Sequence, residues 1–195
     1  MIPTTLASDG GLPAASTALL ARLDRWVAAG WLRGVDRAFA AFLAAEVPQA
    51  PPALLLAAAL ASHQLGRGHA CLRLDAVLAD PAGTLALPPA APAPDGVHPE
   101  PPDVLLRGLD LAGWREALAL PALVGHGEGD TPLVLEGERL YLRRYWTHER
   151  TVREGLACRL APPLADDEGW RASLRAALDV LFPPDAAPAG TDWQR

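Results

Sequence analysis

Apolar residues recur at helical spacing through the first third of the chain. Between residues 16 and 43 they return every three or four positions in two runs, separated by Gly30. This spacing predicts two amphipathic helices, and the prolines after the second run end it. A third run, from Ala53 to about Gln64, is apolar on nearly all sides, which predicts a helix within the core.

The pattern changes after this third run. A short strand is predicted at Ala70–Leu74, with a short helix after it. Eight of the 22 residues from 81 to 102 are proline, and this composition predicts a surface loop inserted into the domain. A further helix is predicted from Pro102 to Leu120, and residues 125–130 are expected to form a flexible connector.

The clearest β signal lies between residues 133 and 142. Two apolar triplets, Leu133–Leu135 and Leu140–Leu142, flank the turn sequence Glu136-Gly137-Glu138. Such a pattern predicts a β-hairpin. The second strand is expected to continue as far as Trp146.

Helices are predicted on both sides of a proline pair near the C-terminal end, from about His148 to Ala161 and from about Asp166 to Phe182. Helices therefore dominate the predicted structure. The expected fold class is mainly α (α+β): a helical domain with a small winged-helix-like part and one β-hairpin.

The same pattern suggests boundaries along the chain. Residues 1–15 are small, polar and rich in Gly and Pro, and we expect a frayed N-terminus there. The main domain is expected to span residues 16–182, with residues 81–102 as its proline-rich insert. Residues 183–195 have loop composition and are expected to form a linker.

Composition narrows the classes of function. All 17 basic residues are arginine, so no lysine nucleophile, Schiff base or phosphate-loop lysine exists in this sequence. The net charge of −6 argues against a surface that is basic throughout, as a nucleic-acid-binding protein would have. The sequence shows neither a membrane-spanning run nor a secretory signal, and we expect a cytoplasmic protein with no membrane partner.

Motifs for chemistry are missing from the sequence. It contains no HExxH, CxxC, GxSxG or GxxxxGK[ST]. His69 and Cys71 are two residues apart without a second pair, so we predict neither a metal site nor a catalytic site. Cys71 and Cys158 are expected to be small buried hydrophobic residues. His63 is expected to cap the carbonyl groups at the end of its helix.

The densest chemical information lies in the stretch EGERLYLRRYWTHERTV, residues 136–152. In a strand, one face would carry Tyr141, Arg143 and Tyr145, and the other would carry Leu140, Leu142, Arg144 and Trp146, so each face would combine arginine with aromatic residues. Three interpretations remain open from the residues alone. The first is a surface that binds single-stranded nucleic acid, whose bases stack on aromatic rings. The second is a protein interface, where arginine and aromatic residues are the usual anchors. The third is core packing, with the aromatic rings buried and the arginines covering them.

Four sequence blocks, taken in order, resemble a known family. They are LAAALASHQLGRGHACLRL (56–74), DTPLVLEGERLYLRRYWTHERTV (130–152), LDVLFP (178–183) and TDWQR (191–195). Together they resemble the N-terminal region of the alpha subunit of bacterial exodeoxyribonuclease V, the RecD helicase subunit of the RecBCD recombination enzyme. Glu138 stands where Asp is common in this family, and the proline-rich insert departs from its pattern.

The resemblance implies a role in double-strand break repair and homologous recombination. The parent protein would be an ATP-driven 5′-to-3′ DNA helicase that requires ATP and Mg²⁺. Its motor is expected beyond the linker at 183–195, so we expect no cofactor within this chain and no catalysis by it. Gln194 resembles the glutamine that contacts adenine in such helicases, a role that is latent without the motor.

The resemblance also implies partners. The domain is expected to anchor the motor to the gamma subunit (RecC-like), beside the beta subunit (RecB-like), and to reach DNA only through the full complex. Tyr141 and Trp146 are then expected to hold the hairpin onto the domain body. Arg143, Arg144 and Arg150 are the expected partner-interface residues. The alternative is a winged-helix-like nucleic-acid-binding module that uses the arginine and aromatic residues of the hairpin.

Overall fold

The computed structural model describes residues 12–90, 94, 99–160 and 168–182. These residues divide into two compact units between Arg150 and Thr151. Most of the predicted frayed N-terminus and all of the predicted linker at 183–195 lie outside the described residues. The boundaries 16–182 for the main domain stay a prediction.

Three helices form the helical half of the first unit. They are α1 (Ala14–Ala28), α2 (Gly34–Glu46) and α3 (Pro52–Gly66). Helix α3 is buried along eleven successive residues, from Leu54 to Gln64, because leucine and alanine occupy nearly every face of it. It therefore forms the centre of the core, against which the other two helices pack.

Two short helices follow α3 and the first strand. Helix α4 (Leu74–Ala79) is the short helix that the sequence predicted, whereas α5 (Pro81–Leu85) lies within the proline-rich segment that was predicted as loop. The prediction of a loop from its first residue was wrong, because Asp80 caps α5 by accepting a hydrogen bond from the Gly83 backbone N–H at 2.9 Å. Leu85 and Leu87 are buried, so this part of the segment belongs to the core.

The single helix predicted from Pro102 to Leu120 is two helices, α6 (Pro102–Leu105) and α7 (Leu111–Ala117). Gly108, at φ +81°, interrupts the helical path, and few residues other than glycine adopt this conformation. Asp110 then caps α7 by accepting a hydrogen bond from the Gly113 N–H at 2.7 Å.

The sheet has the strand order β1-β4-β3-β2. Strands β3 (Leu133–Glu136) and β4 (Arg139–Leu142) form the predicted hairpin, with Leu135 opposite Leu140. Strand β1 (Leu72–Arg73) pairs antiparallel with β4, and β2 (Val124–Gly125) pairs parallel with β3. The sequence analysis placed the first residue of the connector, Gly125, outside any strand, and the structure corrects this.

Two helices complete the described chain. Helix α8 spans Arg143–Leu160 and crosses from the first unit into the second, while α9 spans Glu168–Leu181 within the second. Cys158 is exposed on α8, contrary to its predicted burial. The described residues are 62% helical with a small four-stranded sheet, which confirms the mainly α (α+β) fold class.

Candidate functional site

The hairpin passes directly into helix α8. Gly137 makes the turn at φ +62°, and β4 then ends at Leu142. Helix α8 begins at Arg143, whose backbone N–H donates to the carbonyl oxygen of Pro132 at 2.9 Å. The predicted continuation of the strand to Trp146 was wrong, so the side chains after Leu142 follow helical rather than alternating spacing.

A small aromatic cluster lies beneath this junction. Tyr141 is 2% exposed and packs with Val134 and Trp146, and Cys71 lies against them. The indole N–H of Trp146 donates to Glu136 Oε2 at 3.1 Å, so the helix is tied back to the first strand of the hairpin. This cluster is separate from the main core.

Arg143 is bonded within the domain. Its Nε donates to the Thr131 carbonyl oxygen at 2.9 Å and its Nη2 to Thr131 Oγ1 at 2.5 Å. Its Nη1 donates to the carbonyl oxygen of Gly127. A Cβ on Gly125 would lie 2.8 Å from Nη2, so a glycine at this position leaves room for the guanidinium group. Arg143 therefore ties the connector to the start of α8, and its contact with a partner stays a prediction.

Arg150 is the second arginine beside the cluster. Its guanidinium carbon lies 4.9 Å from the centre of the Trp146 ring, and that of Arg143 lies 5.4 Å from the same ring. Arg150 Nη1 is also 3.0 Å from Glu128 Oε1, although that carboxylate is largely exposed. Much of Arg150 is therefore engaged with its own domain, through a cation–π contact and a surface ion pair.

The third predicted interface residue, Arg144, is exposed. Tyr145 and His148 are exposed beside it on the same side of α8, with their rings 6.1 Å apart at an angle of 66°. Among the three arginines, Arg144 is the one whose side chain extends into solvent. We call Arg144, Tyr145 and His148 the exposed face of α8.

The titratable groups of the cluster are held in unreactive protonation states. Burial raises the pKa of the Tyr141 hydroxyl to about 12, with a further contribution from Cys71. Burial also raises the pKa of the Cys71 thiol. Because the thiolate is the nucleophilic form of cysteine, Cys71 is a poor nucleophile at neutral pH.

A second polar cluster, which the sequence analysis did not identify, lies between α2 and α3. Asp36 is fully buried and accepts hydrogen bonds from Arg33 Nη2 at 2.6 Å and from Ser62 Oγ at 2.7 Å. Burial alone would raise the pKa of Asp36, but the hydrogen bonds from Arg33 and Ser62 outweigh it and lower the pKa. The spacing of Arg33 and Asp36 at the start of α2 could have indicated this capping contact.

His63 lies beside this second cluster and does not cap its own helix. Its Nε2 is 3.0 Å from the carbonyl oxygen of Leu85, the last residue of α5. Burial lowers the pKa of His63, so its ring is neutral near pH 7. The predicted capping role was wrong because the proline-rich segment folds onto the end of α3.

The described residues were compared with the arrangements that a metal site or a membrane span requires. No group of three His, Cys, Asp or Glu side chains in this part of the chain is arranged to hold a metal ion. None of the described helices is long and apolar enough to cross a membrane.

Gln194, the residue expected to contact adenine, lies outside the described residues.

Comparison with known proteins identifies the family. The family described as "RecBCD enzyme subunit RecD, N-terminal domain" matches residues 28–141, more than half of the chain. The chain belongs to this RecD N-terminal domain family. No curated protein sequence matches it.

The match confirms the resemblance to the RecD N-terminal domain, and it contains the first sequence block and the second block as far as Tyr141. It begins at residue 28 and so includes α2, where the sequence analysis noted no family motif. It ends at Tyr141, in the second hairpin strand. The candidate site therefore lies where the RecD N-terminal match meets the start of α8.

Proposed function

We propose that this RecD N-terminal domain docks the helicase subunit onto the gamma subunit (RecC-like) of the RecBCD enzyme. In this proposal the domain positions the motor and performs no catalytic step itself. The exposed face of α8 supports the proposal, because a rigid aromatic cluster holds it in place and an arginine on it is available to a partner. Arg144 is suited to a carboxylate or carbonyl group of that partner.

The unreactive state of the cluster supports the same proposal. The Cys71 thiol and the Tyr141 hydroxyl both have raised pKa values, whereas nucleophilic catalysis requires lowered ones. The polar groups around the cluster bind other residues of the same domain: the Trp146 indole binds Glu136, and Arg143 binds Thr131 and Gly127. These contacts stabilise the hairpin and the start of α8.

The proposal is tested by exchanging Arg144 for glutamate in the full chain. Arg144→Glu is expected to weaken binding to the purified gamma subunit about tenfold or more, since an exposed interface cation is replaced by an anion. The melting temperature should stay within about 1–2 °C of that of the parent, because a solvent-exposed substitution changes stability little. Surface plasmon resonance and thermal unfolding measure the two effects.

Arg107→Glu is the matched control. Arg107 is also exposed and lies in the same unit, on the turn after α6, so the variant carries the same change of net charge. It should bind the gamma subunit like the parent chain. If both variants bind equally well, Arg144 makes no docking contact. Failure of the parent chain to bind the gamma subunit would remove the docking proposal altogether.

The alternative, a nucleic-acid-binding module, has less structural support. Of the three arginines that could bind phosphates, Arg143 and Arg150 are engaged with groups of their own domain. Fluorescence anisotropy with a labelled single-stranded oligonucleotide, at several salt concentrations, distinguishes the two functions. A micromolar affinity that falls steeply with salt would favour the nucleic-acid module.

The roles of the parent protein follow from the family and belong to the same proposal. We propose that the full subunit is an ATP- and Mg²⁺-dependent 5′-to-3′ helicase that works beside the beta subunit (RecB-like). Its context would be double-strand break repair and homologous recombination in the cytoplasm, with DNA reached through the complete complex. Nucleotide turnover by this 195-residue chain alone would contradict the assignment of the motor to another part of the protein.

A further inference from the structure

Helix α8 is packed onto the first unit at its beginning. Arg143 is bonded to the connector, and Trp146 is bonded to the hairpin. Beyond the boundary between the two units, residues 151–160 are exposed apart from Gly155, which is half-buried. Most of the stability of a helix in a protein comes from packing, and short helical segments without packing are marginal in water. The second half of α8 therefore gains little stability from burial.

Gly155 lies in the middle of this second half. A Cβ built at Gly155 would lie 3.7 Å from Arg159 Nη1, an ordinary van der Waals distance, so an alanine fits in this part of the helix. A glycine inside a helix is costly, because its backbone loses more freedom on folding than that of any other residue. Opening of the helix at residue 155 is therefore about fivefold more frequent than it would be with alanine there.

Arg159 supplies the second feature of this segment. In a regular helix its backbone N–H donates to the carbonyl oxygen of Gly155, four residues earlier. Its side chain reaches the same atom, with Nη1 at 3.4 Å from the Gly155 oxygen. At this distance the side-chain contact is weak while the helix is closed. When the backbone bond opens, the guanidinium group is in place to bind the carbonyl oxygen, which lowers the cost of opening.

We propose that Gly155 and Arg159 form a hinge in α8, at which the helix bends or opens while residues 143–150 stay in place on the hairpin. A side chain that enters the backbone hydrogen bonds of a helix is a recognised cause of kinks, and a few residues at such a point can absorb a change of direction. The hinge goes beyond docking, because it concerns the direction in which the chain leaves this domain. Under the docking proposal, it would allow the rest of the subunit to reorient while the domain stays bound.

The substitution Gly155→Ala tests the hinge by amide hydrogen exchange in the 195-residue chain. The amides of residues 156–159 donate to carbonyl groups across or at residue 155, so they report opening there. Their exchange should slow about fivefold in the variant, because alanine favours the helix. The amides of residues 147–150 should keep their parent rates, since that part of α8 is packed. Trypsin cleavage after Arg159 should slow by the same factor, because cleavage requires the opened form.

Gly34→Ala is the matched control, since it makes the same substitution at a helical glycine of the first unit. Among the described residues, a Cβ at Gly34 would meet no atom within 4 Å, so this variant also forms without a clash. It should leave the exchange of α8 unchanged. Ala157→Gly is the converse variant, because it adds a glycine at an exposed position of α8. It should accelerate exchange of residues 156–159 about fivefold.

Two results would overturn the hinge. One is equal exchange of residues 156–159 in the parent and in Gly155→Ala. The other is protection that falls steadily toward Leu160 in the parent, with Gly155→Ala changing only the last amide, since that pattern is fraying from the helix end. The docking proposal is decided separately, by binding of the parent chain to the gamma subunit. Failure of the parent to bind would remove docking and leave the hinge in place.

Discussion

Replacing Arg143 with methionine should destabilise the first unit substantially. The change removes hydrogen bonds to Thr131 and Gly127 and the guanidinium group over the Trp146 ring. A hydrogen bond that involves a charged group contributes about 1.5–3 kcal/mol, and a partly exposed cation–π contact about 0.5–1 kcal/mol. Because Arg143 is only half-buried and water can replace it at the freed carbonyl groups, we expect a net loss of about 3 kcal/mol.

The neighbouring arginine is the control for this prediction. Arg144→Met also removes one positive charge, but at an exposed position one residue later in the chain. It should alter the free energy of unfolding by less than about 0.5 kcal/mol. In this size range a loss of about 3 kcal/mol lowers the melting temperature by roughly 6–12 °C. Urea and thermal unfolding monitored by circular dichroism measure both variants. Equal stabilities for Arg143→Met and Arg144→Met would refute the bonding role assigned to Arg143.

Two predictions concern the polar residues between α2 and α3. Asp36→Asn should lower the free energy of unfolding by about 2–3 kcal/mol, because Arg33 and Ser62 lose a buried carboxylate. The pKa of Asp36 is depressed in the folded protein. Its contribution to the free energy of unfolding is therefore fully present above the unfolded-state pKa of about 4 and is lost as pH falls through the folded-state pKa. Urea unfolding at several pH values should show this loss in the parent but not in the variant. The pKa of His63 is also depressed, and the unfolded chain therefore binds the extra proton as pH falls below about 6.5. Parent stability should decrease by up to about 1.4 kcal/mol per pH unit there, and a His63→Gln variant with an unchanged pH profile would contradict this.

The helical half of the fold could be predicted from hydrophobic periodicity. Helix α3 was expected from Ala53 to about Gln64 and spans Pro52–Gly66, because apolar residues on all its faces can be satisfied only by burial. The hairpin was predictable for a different reason. Glu136-Gly137-Glu138 separates two apolar triplets, and a glycine with positive φ is what a tight turn needs.

The proline-rich segment shows where composition misled the prediction. Its proline density indicates a loop, yet its first residues form α5, because Asp80 and Pro81 are a favourable cap and first helical residue. Leu85 and Leu87 are then buried by contacts far along the chain. Such contacts leave no local signal. The Gly108 break between α6 and α7 did have a local signal, the glycine itself, and was missed.

The misplaced start of α8 is the prediction error that matters most for the proposed function, because it decides which arginine side chains reach solvent. In an extended strand Arg143 would have pointed away from Arg144 and both could have reached a partner. In the helix that begins at Arg143, the guanidinium of that residue turns back toward Thr131 and Gly127, and Arg144 alone of the two extends into solvent. Arginine favours helices whereas tryptophan and tyrosine favour strands, so the local sequence gives conflicting signals. The hydrogen bond from the Arg143 backbone to Pro132 and the burial of Trp146 decide the outcome. Residue type could therefore locate the cluster of arginine and aromatic residues, whereas the division between structural and exposed arginines depends on tertiary contacts.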